Sequence, residues 1–274
     1  MRTLRRLLLL GALSALVVAG FPSAGAQTPT VTSVIGSADG LFADIEVENL
    51  VNDNGTDEVA AQQVDFLTFG PEPSVTLPPT GGSVSEQVLG VDQSLELLSL
   101  TAGVLTAAAE GALGPDGFAT AESTVADIEL AEQVPPGTVL AQQLPGPILT
   151  AELISATCAA DLDGVTGSTT LVGANILGQD SISEEPEPNT EFEVALDSFA
   201  TVGVTLNRQV VNPDGSLSVT ALVLEIEIDL EIATVTGTLE IGPATCGVVE
   251  GVEPAPAPAP APAQAVPAQV RFTG

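Results

Sequence analysis

The sequence predicts an all-β fold, an antiparallel β-sandwich or jelly-roll-like domain followed by a disordered or polyproline II tail. Three observations lead to this prediction: runs in which apolar and acidic residues alternate, turn-forming clusters between those runs, and a Pro-Ala repeat near residue 260.

The clearest alternation runs from Leu222 to Ile232, where Leu or Ile at every second position faces away from Val223 and four acidic residues. A period of two is typical of a half-buried strand, whereas a helix would spread the acidic residues around its circumference. The same pattern recurs in Leu41 to Asn49 and around Phe192. These segments are therefore predicted strands.

Four clusters rich in Asn, Asp, Pro and Gly separate the predicted strands. Such residues provide the left-handed or proline-fixed positions that tight turns need, so the joined strands should be antiparallel. The clusters are Asn52 to Gly55, Gly114 to Gly117, Asp161 to Gly164 and Asn212 to Gly215.

The segment from Val88 to Glu110 is rich in Leu and Ala, and its spacing is compatible with two structures. Leu95, Leu98 and Ala102 fit one face of a short helix. We predict a strand here and keep the helix as the alternative.

The first 26 residues have the order of a secretory signal peptide: three arginines, an apolar run from Leu7 to Val18, and small residues ending at Ala26. The apolar run is shorter than the roughly 20 residues that span a bilayer. We therefore predict a signal peptide over residues 1–26, cleavage near Ala26, and a mature chain without a membrane span.

The remaining chain divides by composition. Residues 27–253 have the length and apolar content of one β-rich extracellular domain, with two sub-sheets as a possible division. Residues 254–274 form a Pro-Ala spacer and tail. The 45% apolar content is too high for a disordered class despite the strong charge.

The mature chain is strongly acidic. Its 36 Asp and Glu residues face only Arg208 and Arg271, which gives a net charge of −34 once the three signal-peptide arginines are removed. Such a field repels nucleic acid and anionic lipid and attracts cations and basic partners. We expect no nucleic-acid partner, and the sequence does not identify the envelope or extracellular partner.

Cys158 and Cys246 are the two cysteines of the chain, and each ends an Ala-Thr-Cys triplet. An even number of cysteines in an exported protein favours a disulfide. We predict that the two are bonded, lie on neighbouring strands and have Cα atoms within about 7 Å.

The missing residue types argue against catalysis. The chain has no His, Tyr, Trp or Lys, which excludes serine-histidine triads, Schiff-base chemistry and P-loop phosphoryl transfer. A paired-carboxylate glycosidase is compatible with the composition, but few aromatic residues are present to bind a sugar. We predict a non-enzymatic protein with no catalytic residues and no cofactor.

The alternative to a protein without a cofactor is one that binds calcium, because extracellular modules bind this ion through oxygen ligands alone. The candidate ligands are Asp53, Asp57 and Glu58 in one loop and Asp161 and Asp163 in another. Neither loop has the spacing of a twelve-residue calcium loop. Both are therefore predicted to be Asx-rich turns, with weak calcium binding as the alternative.

Two proline-containing segments have distinct predicted roles. Leu77 to Gly81 has the sequence cut by sortases, but its position within the chain favours a proline turn. Pro254 to Ala263 alternates Pro and Ala and predicts an extended rod of about 30 Å. We expect this rod to carry Arg271 and Phe272, a positive charge and an aromatic ring, towards a docking partner.

Five segments match one family in order and spacing: Thr150 to Cys158, Pro188 to Thr190, Val204 to Gln209, Asp214 to Leu222 and Ile241 to Cys246. Together they resemble the choice-of-anchor P family of actinobacterial exported proteins. The resemblance covers roughly residues 30 to 250 and implies an extracellular domain with no known activity. Because neither the sorting signal nor the C-terminal membrane span of the anchored members is recognised in this sequence, we do not expect covalent or membrane anchoring. The family has no catalytic residues to carry over, so the resemblance transfers only Cys158 and Cys246, as a structural pair.

These observations together predict a structural or adhesive protein of the cell envelope or the extracellular medium. A calcium-dependent or glycan-binding extracellular module is the alternative.

Overall fold

The computed structural model describes residues 28–49, 63–94, 98–132, 146–179, 181–196, 200–230 and 233–252. Within these ranges the chain forms β-strands and no helix, and therefore no helix that could cross a membrane. The strands are β1 Pro29–Asn49, β2 Gln63–Thr76, β3 Gly82–Ser94, β4 Leu98–Ala112, β5 Phe118–Glu132, β6 Leu149–Asp161, β7 Gly164–Val172, β8 Asn175–Ile176, β9 Thr190–Leu196, β10 Ala200–Val211, β11 Leu217–Leu230 and β12 Ala233–Val252.

The strands form two antiparallel sheets packed face to face. The first sheet has the order β2-β1-β12-β11-β10-β9, and the second has the order β3-β4-β5-β6-β7 with β8 paired to β6. Strand β12 faces β5 and β6, and β1 faces β4 and β5. The predicted all-β sandwich is therefore confirmed.

One continuous apolar core lies between the sheets. Leu41, Ile45 and Leu222 from the first sheet and Leu105 and Ile154 from the second are fully buried. Each lies on the apolar side of an alternating strand, so the period-two pattern positions the core.

In most of the long strands, the alternation between core-facing and outward-facing side chains shifts by one residue, and these shifts lie side by side at one level of the sandwich. On β5 the buried positions are odd-numbered up to Val125 and even-numbered from Ile128. On four strands a residue with positive φ lies at this level. In the second sheet the paired strands shift together, so the pairing register is the same before and after the shift. We call this level the crossover belt, defined by Gly90 on β3, Asp127 on β5, Asn207 on β10 and Gly242 on β12.

On β1 the belt interrupts the pairing with β12, which skips Asp39 and Gly40, while Asp39 is opposite Ser74 on β2. The buried Ser123 hydroxyl of β5 donates a hydrogen bond across the core to the Asp39 carbonyl. This bond links the two sheets.

Three of the four predicted turns lie in described residues and are confirmed. They join β4 to β5, β6 to β7 and β10 to β11. The cluster from Asn52 to Gly55 lies outside the described residues.

The predicted proline turn at Leu77 to Gly81 is also confirmed, since the Gly81 amide donates to the Pro78 carbonyl at 2.9 Å. Leu77 is buried, and its amide donates to the Gly36 carbonyl of β1 at 2.7 Å. The described part of the segment from Val88 to Glu110 belongs to β3 and β4, so the predicted strand is correct and the helical alternative is wrong there.

Candidate functional site

Cys158 and Cys246 form a disulfide with their Cα atoms 5.6 Å apart, so the predicted bond is confirmed. The predicted placement on neighbouring strands is wrong. Cys158 lies on β6 of the second sheet and Cys246 on β12 of the first. Because β6 and β12 both have hydrogen-bonded neighbours on their two sides, the cysteines meet only where the sheets face each other, and the bond crosses the core.

The two predicted calcium ligands in the β6–β7 hairpin form part of the turn. Asp161 Oδ1 accepts hydrogen bonds from the amides of Asp163, at 2.8 Å, and Gly164, at 3.2 Å. This geometry is an Asx turn. Across the part of the chain that the structure describes, no group of three or more acidic or cysteine side chains is arranged to hold a metal ion. Asp53, Asp57 and Glu58 lie outside the described residues, as do Arg271 and Phe272.

The outer face of the first sheet carries carboxylates in columns. Within a column, successive carboxylates lie at every second residue of one strand, about 7 Å apart. Strands β12 and β10, which carry threonine or glycine at these positions, lie between the columns and separate them by roughly 10 Å. In the ladders with β12 and β10, each carboxylate is opposite a threonine or a glycine instead of another carboxylate, which reduces repulsion between opposite residues. The columns are Asp44, Glu46 and Glu48 on β1, Glu225, Glu227 and Asp229 on β11, and Glu191 and Glu193 on β9; the separating residues are Thr234, Thr236 and Thr238 on β12 and Thr201, Gly203 and Thr205 on β10.

One ion pair is present among the described residues, between Arg208 on β10 and Glu240 on β12 at 2.9 Å. The same guanidinium nitrogen lies 3.3 Å from the Thr220 hydroxyl of β11, the strand between them. The columns of carboxylates therefore face solvent without a basic side chain from the described part of the chain. We call this surface the acidic face.

A groove of about 770 Å³ lies beside β9, between that strand and the segment of residues 179–187. Half-buried Ile182 and Phe192 and buried Val194 form its apolar floor. Glu185, Glu187 and Glu193 also line it and are exposed to solvent.

A buried polar network holds this segment against the sandwich. Asn207, with its positive φ on the crossover belt, donates through Nδ2 to the Pro186 carbonyl at 2.9 Å. Its Oδ1 accepts from the Thr169 hydroxyl at 3.2 Å and from Gln209 Nε2 at 2.9 Å. The groove wall is thus fixed by a side chain that is 3% exposed.

The sequence indicates the strand of this groove but not the groove itself. Glu193 and Phe192 belong to a predicted alternating strand. The sequence analysis missed the opposite wall; the signal that could have indicated it is the run Glu184-Glu185-Pro186-Glu187, in which proline and dense acidic charge interrupt any strand pattern.

No family model matches this chain. No curated protein matches it either. The resemblance to the choice-of-anchor P family therefore stays a prediction from the residues quoted above.

Proposed function

We propose that this chain is an exported, non-enzymatic structural or adhesive protein of the cell envelope or the extracellular medium, and that it presents its acidic face to cationic groups outside the cell. The acidic face is the observation that carries the proposal. Its carboxylates lie in ordered columns on one exposed surface, and the single described arginine is paired to Glu240.

The position of the disulfide supports export. A bond between the two sheets forms and persists in an oxidising compartment, and reducing cytoplasm would keep the same thiols free. The predicted signal peptide over residues 1–26 is consistent with this location.

A structural or adhesive role agrees with the chemistry of the surface. Carboxylates that face threonine at regular spacing attract basic polymers or ions over a wide area without selecting one small ligand. The chain lacks His, Lys, Tyr and Trp, so the common nucleophile and base combinations cannot be assembled from it.

The test is to fractionate producing cells into cytoplasm, membrane, wall and medium, and to sequence the amino terminus of the recovered protein. We expect the protein in the wall or the medium, beginning at or near Gln27, and released from the wall by high salt. Retention in the cytoplasm with Arg2, Arg5 and Arg6 intact would contradict export.

The adhesive part of the proposal has its own test. The variant Glu225→Gln/Glu227→Gln/Asp229→Asn should reduce wall retention several-fold at low salt, because it neutralises one whole column. Calorimetric titration with calcium distinguishes the structural or adhesive protein from the alternative, a calcium-dependent module. Saturable heat at millimolar calcium or below would favour the module.

A further inference from the structure

The groove beside β9 combines an apolar floor with several carboxylates. Phe192 and Ile182 are half-buried and pack on the core, and Leu206 at the base is 2% exposed. A ligand that fills this floor must carry an apolar or aromatic side chain.

The charge of the groove specifies the rest of the ligand. Glu185, Glu187 and Glu193 line the groove, and within the described residues the only basic side chain, Arg208, is bonded to Glu240. A guanidinium or ammonium group entering the groove would therefore meet carboxylates that have no other cation. The complementary ligand is a short peptide segment with a basic residue next to aromatic and aliphatic residues.

We propose that this ligand is the segment from Gln269 to Gly274 of a second copy of this chain. The segment contains Val270-Arg271-Phe272, which places the only other mature arginine between an aliphatic and an aromatic side chain. Residues 254–274 contain no acidic residue, so this is the one stretch of the mature chain whose side chains match the charge of the groove.

The direction of β12 favours a second copy over the same copy. Ile241 of β12 is level with Leu222 and, through it, with Leu206 at the groove. The strand then continues for eleven residues to Val252, roughly 36 Å further along the sandwich. The tail is therefore attached to β12 at a point about 36 Å from the level of Leu206.

The predicted rod also explains how two copies, each with a net charge of −34, can be linked. Ten residues in polyproline II conformation span about 31 Å, whereas charges are screened over about 8 Å at physiological ionic strength. The rod therefore keeps the acidic bodies beyond each other's field while Arg271 enters the groove. Because tail and groove are different surfaces, the contact is heterologous and links copies head to tail into chains or closed rings.

The test measures self-association of the exported protein by sedimentation velocity over a wide range of concentration. Wild type should form larger species as concentration rises. Arg271→Glu and the groove variant Glu185→Gln/Glu187→Gln/Glu193→Gln should each weaken association at least tenfold. The matched control Glu225→Gln/Glu227→Gln/Asp229→Asn removes the same charge from β11, whose carboxylates do not line the groove, and should associate like wild type.

Mixing the two defective proteins identifies the contact. Arg271→Glu has an intact groove and the groove variant has an intact tail, so the mixture should form pairs and nothing longer. Monomers at all concentrations of wild type, equal loss in the control variant, or no pairing in the mixture would each overturn the proposal. Thermal unfolding followed by circular dichroism verifies that each variant is folded.

This inference concerns contacts between copies and does not rest on the adhesive role. A protein that assembles through its tail but binds no wall would uphold it and contradict the proposed function. A protein that binds the wall but stays monomeric would support the proposed function and contradict this inference.

Discussion

Cys158 and Cys246 join the two sheets through the core, with their Cα atoms 5.6 Å apart and both residues buried. The bond closes a segment with a sequence separation of 88 residues, which includes β7 to β11. The disulfide joins β6 and β12, two strands of opposite sheets that share no backbone hydrogen bonds.

Removing this disulfide should destabilise the protein strongly. We expect Cys158→Ala/Cys246→Ala to lose about 4 to 5 kcal/mol of unfolding free energy, because a long loop regains its freedom in the unfolded chain. Urea denaturation measures the loss. Reduced wild type serves as the control, and a change below about 1 kcal/mol would show that the core alone holds the sheets together.

Ser123→Ala should cost about 1 to 3 kcal/mol. The substitution removes the buried hydroxyl that donates to the Asp39 carbonyl across the core. Ser85→Ala, on the exposed face of β3, is the matched control and should change stability by less than about 0.5 kcal/mol. Equal effects from both variants would mean that water or a backbone shift satisfies the Asp39 carbonyl.

Asn207→Gly should cost about 2 to 3 kcal/mol, since it removes a buried side chain that makes three hydrogen bonds while glycine still accepts the positive φ. The donor to Pro186 is lost, so residues 181–187 should become more sensitive to limited proteolysis. Unchanged cleavage there would mean that the hydrogen bond from the Leu171 amide to the Glu184 carbonyl holds the segment by itself.

Salt should stabilise the fold through the acidic face. Carboxylates about 7 Å apart along β11 repel each other at low ionic strength, and molar salt screens this repulsion. The variant Glu225→Gln/Glu227→Gln/Asp229→Asn should melt about 2 to 4 °C above wild type in 10 mM salt, and at the same temperature in 1 M salt. A flat melting temperature for wild type would show that solvent already screens the columns.

The β10–β11 turn should make a small contribution to the stability of the fold, and this contribution should be lost in acid. The Ser216 hydroxyl donates to Asp214 Oδ1 at 2.7 Å and the Ser216 amide at 3.0 Å, and these bonds lower the pKa of Asp214 below its ordinary 3.8. Because the folded-state pKa is depressed, the stabilisation is present above the unfolded pKa and is lost as pH falls through the folded one.

Comparing wild type with Asp214→Ala by thermal melting from pH 7 to pH 2 checks this prediction. The difference between the two proteins should be constant down to about pH 4 and should shrink below it. A difference that persists unchanged at pH 2 would assign the effect to the shape of the turn.

The sequence alone determined the strands, several turns and the disulfide pair. Alternation within Leu222 to Leu230 is a local property, because successive side chains of an extended chain must point to opposite faces. Turn residues act over four positions, and two exported cysteines can pair only with each other inside one chain. These features needed no knowledge of which strands are neighbours.

Only the tertiary structure decided the strand order, the placement of the cysteines on opposite sheets, the crossover belt and the groove. At the belt the inward phase of β5 shifts between Val125 and Ile128, and the single-strand pattern gives no reason for that shift. One wall of the groove is held by a hydrogen bond from the Asn207 side chain to the Pro186 carbonyl, 21 residues away along the chain. Long-range pairing determines these features, because the contacts that stabilise them exist only after the two sheets have packed.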